Sequence, residues 1–172
     1  MVVINESNMR FGEYNEDDVF YIEKSSQYQS GLMPNGVKSC EFILKKEDTL
    51  YFIEAKGSCP NQITADTPAE KKVKYNEYIA GVIDKMRDSL ALYANILLNR
   101  YDSSGIPNGV LEKDLSDKKI KLVLVVKKAE KSWLIPLKDK LNKELKRELR
   151  IWKISEFYVI NEDIARQKHL VI

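Results

Sequence analysis

The sequence predicts an α/β fold in which a mixed central sheet is flanked by helices. Three observations point there. Two β-rich runs flank a short polar turn at Lys46-Glu47-Asp48-Thr49, which reads as a hairpin. Apolar residues then recur at helical spacing from Val73 to Leu97. An almost unbroken apolar run, "IKLVLVVKK" from Ile120 to Lys128, follows; such a run suits a central strand covered on both faces. The order strands, helix, strand, helix, strand is that of an α/β sheet.

The elements follow in turn. Residues 1–36 carry "MRFGEY" and "VFYIEKSSQY", rich in aromatic and β-branched residues, and are expected as extended N-terminal strands. "GLMPNG" is a turn cluster. The hairpin "VKSCEFILKKEDTLYFIEAK" comes next, then a loop, "GSCPNQITAD". Thr67-Pro68-Ala69-Glu70 matches a capping box with proline at the first helical position. The helix it opens is expected from Pro68 to about Arg100, with Val73, Tyr78, Ile79, Val82, Met86, Leu90, Tyr93 and Leu97 on its inner face. "YDSSGIPNGVLEKDLSDKK" reads as a loop with room for a short turn of helix. Beyond the central strand, Leu137, Leu141, Leu145 and Leu149 mark a second helix. Its outer face carries Lys138, Lys140, Lys143, Lys146, Arg147 and Arg150 among Asp139, Glu144 and Glu148, the composition of a solvated face. "RIWKISEFYVI" is a last strand near the sheet edge. No internal repeat or low-complexity segment interrupts the 172 residues, so a single domain over 1–172 is expected. It divides into N-terminal strands (1–36), a core region (37–128) and a C-terminal helix and strand (129–172).

Composition narrows the function. No run approaches the roughly 18 apolar residues of a membrane helix, and the N-terminus lacks a basic start and an apolar signal core. A cytoplasmic protein with no membrane partner is expected. The net charge of +2 leaves a nucleic-acid partner to local patches. Cys40 and Cys59 form no CxxC pair and read as free thiols. His169 is the only histidine and cannot build a His-rich metal site. Gly105 and Gly109 lie in a surface turn, "SSGIPNG", and no glycine-rich phosphate loop is present.

The chemistry concentrates in "YFIEAKGS", Tyr51 to Ser58. Glu54 and Lys56 share one face of a strand with Phe52 and Leu50. Pairing the hairpin about Glu47-Asp48 places Lys46 opposite Thr49, Leu44 opposite Tyr51 and Phe42 opposite Ile53. The same register sets Glu41 opposite Glu54, with Ser39 and Ile43 on the same face. Two carboxylates across a strand pair repel, the more so near a core. Lys56 offsets this in part; a divalent cation would offset it further. Mg²⁺ and Mn²⁺ favour oxygen ligands, and either would acidify a bound water and hold a phosphate oxygen. The other reading of the same residues is an exposed polar cluster on a half-solvated sheet. Glu54–Lys56 is then a surface pair worth less than about 1 kcal/mol.

"CEFILKKEDTLYFIEAKGS" resembles the core of the PD-(D/E)xK nuclease superfamily, the restriction-endonuclease-like fold. Glu41 takes the position of its first acidic residue and Glu54-Ala55-Lys56 that of its (Asp/Glu)-x-Lys motif. The helix from Pro68 and the strand from Ile120 follow in matching order, so the resemblance spans about residues 37–128. Departures are a glutamate in place of the first aspartate, no preceding proline, and no helix legible in the first 36 residues. Glu23 is the nearest candidate for the additional glutamate of the family's leading helix.

The resemblance implies a metal-dependent nuclease acting on DNA in preference to RNA, by one-step attack of an activated water. Glu41 and Glu54 would hold Mg²⁺ or Mn²⁺, with the Ala55 carbonyl as a further ligand, and Lys56 would serve the water. Lys71, Lys72 and Lys74 are candidates for contacts to the phosphate backbone. The alternative is a non-catalytic member of the fold, a nucleic-acid-binding or protein-interaction subunit of a restriction- or defence-type assembly. A third reading is dimerisation through the sheet edge or the helix from Val73 to Tyr101. A nuclease this small is expected to draw specificity from a homodimer or a partner subunit.

Overall fold

The computed structural model describes residues 1–111, 115 and 117–172. Among the described residues, seven strands and four α-helices are ordered as β1 (Val2–Glu6), β2 (Met9–Tyr14), β3 (Val19–Phe20), β4 (Phe42–Lys46), β5 (Thr49–Ser58), α1 (Ala69–Leu97), β6 (Lys119–Lys128), α2 (Lys131–Glu144), α3 (Lys146–Ile151), β7 (Phe157–Asn161) and α4 (Glu162–Gln167). Strands β3-β4-β5-β6-β7 form one sheet in that spatial order, and β1-β2 form a separate two-stranded ribbon. The β3–β4 and β4–β5 pairs are antiparallel and the β5–β6 and β6–β7 pairs parallel. The sheet is therefore mixed, as expected.

The alternation of side chains along the strands explains the layers. From β5 and β6, Leu50, Phe52, Leu122, Leu124 and Val126 join the buried residues of α1, α2 and α3. Ile53, Ala55, Val123 and Val125 enter a second core with Ile4, Met9 and Phe11 of the ribbon and Ala165 of α4. The apolar run at Ile120–Lys128 is thus buried on both sides, by helices on one face and the ribbon with α4 on the other. Edge-on ring pairs fasten each core: Phe52–Tyr93 with centroids 5.5 Å apart and Phe11–Phe42 at 5.3 Å.

The hairpin has the expected register, from Lys46↔Thr49 to Phe42↔Ile53, and β7 lies at the sheet edge as expected. The four leucines of the second helical region are all buried, but the region is two helices with Leu145 between them. Helix α1 lacks the expected capping box. Pro68 is the N-cap with no side-chain bond. The Thr67 hydroxyl instead accepts from the Thr64 amide at 2.8 Å, and Glu70 pairs with Lys74 at 3.0 Å.

The N-terminal segment departs most from the expected strands. Of "VFYIEKSSQY", only Val19–Phe20 is strand. Ile22–Lys24 is a 3₁₀ turn, Tyr28–Leu32 a π-helical turn and Met33–Asn35 another 3₁₀ turn, closed by Gly36 at φ 81. Serine supplies the reason. The Ser25 hydroxyl donates to the Ile22 carbonyl at 2.7 Å, and such side-chain bonds compete with a strand ladder. The loop expected at residues 101–119 lies partly outside the described residues. Within it, Tyr93 Oη donates to the buried Val110 carbonyl at 2.7 Å. No helix among the described residues is long and apolar enough to cross a membrane.

Candidate functional site

Strand β5 runs past the end of β4: pairing with β4 stops at Ile53, whereas pairing with β6 continues to Ser58. Glu54 and Lys56 stand on this overhang. Glu54 is fully buried and Lys56 half-buried, with Lys56 Nζ 2.8 Å from Glu54 Oε1. A buried carboxylate requires charge compensation, and α1 supplies more of it. Lys85 falls on the helix stripe that includes buried Val82, Met86 and Ser89. Its Nζ lies 3.0 Å from Glu54 Oε1, 3.4 Å from Glu41 Oε1 and 3.7 Å from Glu23 Oε1.

Glu41 reaches this cation through a distortion. The chain bends at Glu41, whose amide donates to the Ile53 carbonyl at 3.0 Å, while Phe42 already pairs with Ile53. The expected Glu41–Glu54 register therefore slips by one residue at that point. Cys40 and Ile43, three positions apart, consequently face the same core. Ser89 holds the bend: its hydroxyl accepts from the Cys40 amide at 2.7 Å and donates to the Lys85 carbonyl at 2.6 Å. One serine thus ties the strand end that carries Glu41 to the helix turn that carries Lys85.

Two further acids complete the cluster. Glu23 sits in the Ile22–Lys24 turn, and its amide donates to the Glu41 carbonyl at 3.4 Å. Glu6 ends β1, and the following turn, with Ser7 and Asn8 at φ 51 and 60, reaches the overhang. There Ser7 Oγ donates to the Ala55 carbonyl at 3.0 Å and Lys127 Nζ donates to the Asn8 carbonyl. Carboxylate oxygens of Glu6, Glu23 and Glu41 all lie within 4.8 Å of one another.

The electrostatics follow from crowding. Burial raises the Glu41 carboxyl to about 8, with the adjoining Glu23 carboxyl and the Glu54 charge adding to the rise and Lys85 opposing it. Glu6 is raised by burial and by the Glu23 charge. For Lys85, burial disfavours the ammonium, but Glu54 and Glu41 outweigh it and push its pKa above the ordinary lysine value. Glu41 Oε2 and Glu54 Oε2 are buried without a hydrogen-bond partner among the described residues.

The residues singled out from sequence separate into groups. Glu54 joins Lys56 and Lys85; Glu41 joins Lys85 and the acidic trio; the Ala55 carbonyl accepts from Ser7. Glu23 does join the cluster. Lys71 and Lys74 are exposed at the start of α1, and Lys72 Nζ donates to the Ala65 carbonyl at 2.9 Å. Cys40 and Cys59 are free and buried. Lys85 and Glu6 were not anticipated. Lys85 is a charged residue on an apolar helical stripe, three positions after Val82 and four before Ser89, and that spacing marks it as inward-facing. Glu6 carries no such signal.

The donor set could hold a hard cation: three carboxylates converge, one with a buried, unpartnered oxygen, beside the ammonium groups of Lys85 and Lys24. Comparison with protein-family models, with curated proteins and with solved structures finds no significant match to this chain.

Proposed function

We propose that the cluster at the β5 overhang is a phosphodiester-hydrolysing centre of a metal-dependent nuclease, acting on DNA in preference to RNA. The observation that carries this reading is the Glu54–Lys56 pair, closed at 2.8 Å beside three converging carboxylates. Glu6, Glu23 and Glu41 would hold Mg²⁺ or Mn²⁺. When bound, the cation would supply positive charge to a phosphate oxygen and acidify a water.

The chain's own groups have distinct tasks. Lys56 is the cation of the cluster with the most solvent access, its side chain 33% exposed against 19% for Lys85. It orients the attacking water and stabilises charge that develops on the phosphate. Glu54 holds the Lys56 ammonium in place. Lys85 compensates Glu54 and Glu41 from beneath. The exposed Lys71 and Lys74 offer contacts to the phosphate backbone. A homodimer or partner subunit would supply target choice.

The test is cleavage of plasmid and single-stranded DNA in millimolar Mg²⁺ or Mn²⁺. Wild type is expected to cleave and Lys56→Ala to lose the activity. Cleavage unchanged in Lys56→Ala rules the mechanism out.

A second reading is favoured by Lys85. Its ammonium contacts three of the carboxylates and fills part of the electrostatic role of a metal. On that reading the chain is a non-catalytic nucleic-acid-binding or protein-interaction subunit of a restriction- or defence-type assembly. DNA binding without cleavage, indifferent to Glu54→Gln, would favour it.

A further inference from the structure

The sheet face opposite α1 is covered by the ribbon and α4 only in part. At the start of β5, β6 and β7 it opens into a cleft of about 180 Å³ lined by Tyr51, Lys121, Tyr158, Lys168 and Leu170. Tyr51 and Lys121 are register partners on β5 and β6, and Tyr158 lies opposite Val123 on β7. Lys121 Nζ sits 5.3 Å from the Tyr51 ring centre and 5.6 Å from that of Tyr158, within the range of a cation–π contact. Two aromatic rings thus hold a half-buried ammonium at the cleft. No carboxylate lines the cleft or pairs with Lys121 or Lys168 among the described residues. Lys168 brings a second positive charge to the rim.

We propose that this cleft binds one nucleotide unit of a single-stranded nucleic acid. Lys121 and Lys168 would take the phosphate, and the base would stack on a tyrosine ring. The chemistry selects the ligand in three ways. Two lysines with no carboxylate at the cleft leave it locally positive, which favours an anion. Two rings beside it call for a ligand with a flat apolar group, and base–aromatic stacking tolerates any sequence. The volume, about 180 Å³, is below the roughly 300–1,000 Å³ usual for a whole small-molecule ligand. It therefore suits one unit of a longer chain rather than a free cofactor.

The surface is separate from the carboxylate cluster, and its test contains no divalent cation, so either proposal can fail alone. The full chain is titrated in EDTA into a fluorescein-labelled oligothymidylate, with fluorescence anisotropy as readout. Wild type should bind more weakly as salt rises. Tyr158→Ala and Lys121→Gln should each weaken binding about tenfold, while Tyr158→Phe, which keeps the ring, should bind as wild type does. Matching thermal unfolding of the variants shows that loss of binding is not loss of fold. Three results overturn the proposal: no binding by wild type, equal binding by all four proteins, or binding of an acidic, aromatic peptide in place of the oligonucleotide.

Discussion

Lys85 shows how one residue determines what the site can be. It is the shared cation of Glu23, Glu41 and Glu54. Removing one partner from a buried ion cluster costs more than the pair contributes, because it leaves charge buried and uncompensated. Lys85→Met should therefore lose about 3–5 kcal/mol in urea unfolding, with Glu54→Gln in the same chain restoring part of it. A Lys85→Met protein as stable as wild type would refute the shared-cation account. Glu41 gives a second prediction, in pH. Its folded pKa is about 8 against an ordinary 4.5, so between those values the folded state binds more protons than the unfolded one. Its contribution is full below about pH 4.5 and is lost as pH rises through about 8. In metal-free buffer, Glu41→Gln should gain stability on wild type from about pH 5 to about pH 9, by on the order of a few kcal/mol. A constant difference across that range would contradict the assignment.

At the scale of elements, legibility followed locality. The β4–β5 hairpin, α1 and β6 could be read because each carries a local signal: a polar turn between β-rich runs, apolar residues at helical spacing, and an unbroken apolar run. The spacing of Leu137, Leu141, Leu145 and Leu149 marks an inner face, and all four are buried, but nothing in it marks Leu145 as a break. Glu54 and Lys56 were legible because strand alternation alone puts them together. The slip at Glu41 was not, because it depends on Ser89 of a helix distant in sequence. Residues 22–35 failed for a related reason: aromatic content suggested strand, and serine bonds to the backbone decided otherwise. The hairpin turn offers a test of local cost. Glu47 sits at φ 54, a conformation that disfavours a side chain and that glycine adopts freely at the first position of a two-residue hairpin loop. Glu47→Gly should raise stability by about 0.5–1 kcal/mol in chemical unfolding; a loss would mean that the turn is held by more than backbone geometry.

Over the whole molecule, metal binding and folding should be linked. A cation at 100 times its Kd stabilises by about 2.7 kcal/mol. Thermal unfolding in millimolar Mn²⁺ or Mg²⁺ should show a rise that Glu23→Gln and Glu6→Gln each abolish. A rise that persists in both variants would place the cation elsewhere. The dependence on Glu6 has a further consequence. The ribbon that carries it is clasped by residues far along the chain: Tyr14 Oη donates to the Leu170 carbonyl across 156 positions, Phe11 pairs with Val171, and the Ile172 amide donates to the Arg10 carbonyl. Contacts of such sequence separation form late, because a long loop must close before they are rewarded. During synthesis, Glu54, Lys56 and Lys85 can come together as soon as the sheet and α1 exist. The last clasp on the ribbon forms only after residues 170–172 have left the ribosome, so a chain cut before them holds Glu6 through the Ser7–Ala55, Lys127–Asn8 and Lys24–Glu6 contacts alone.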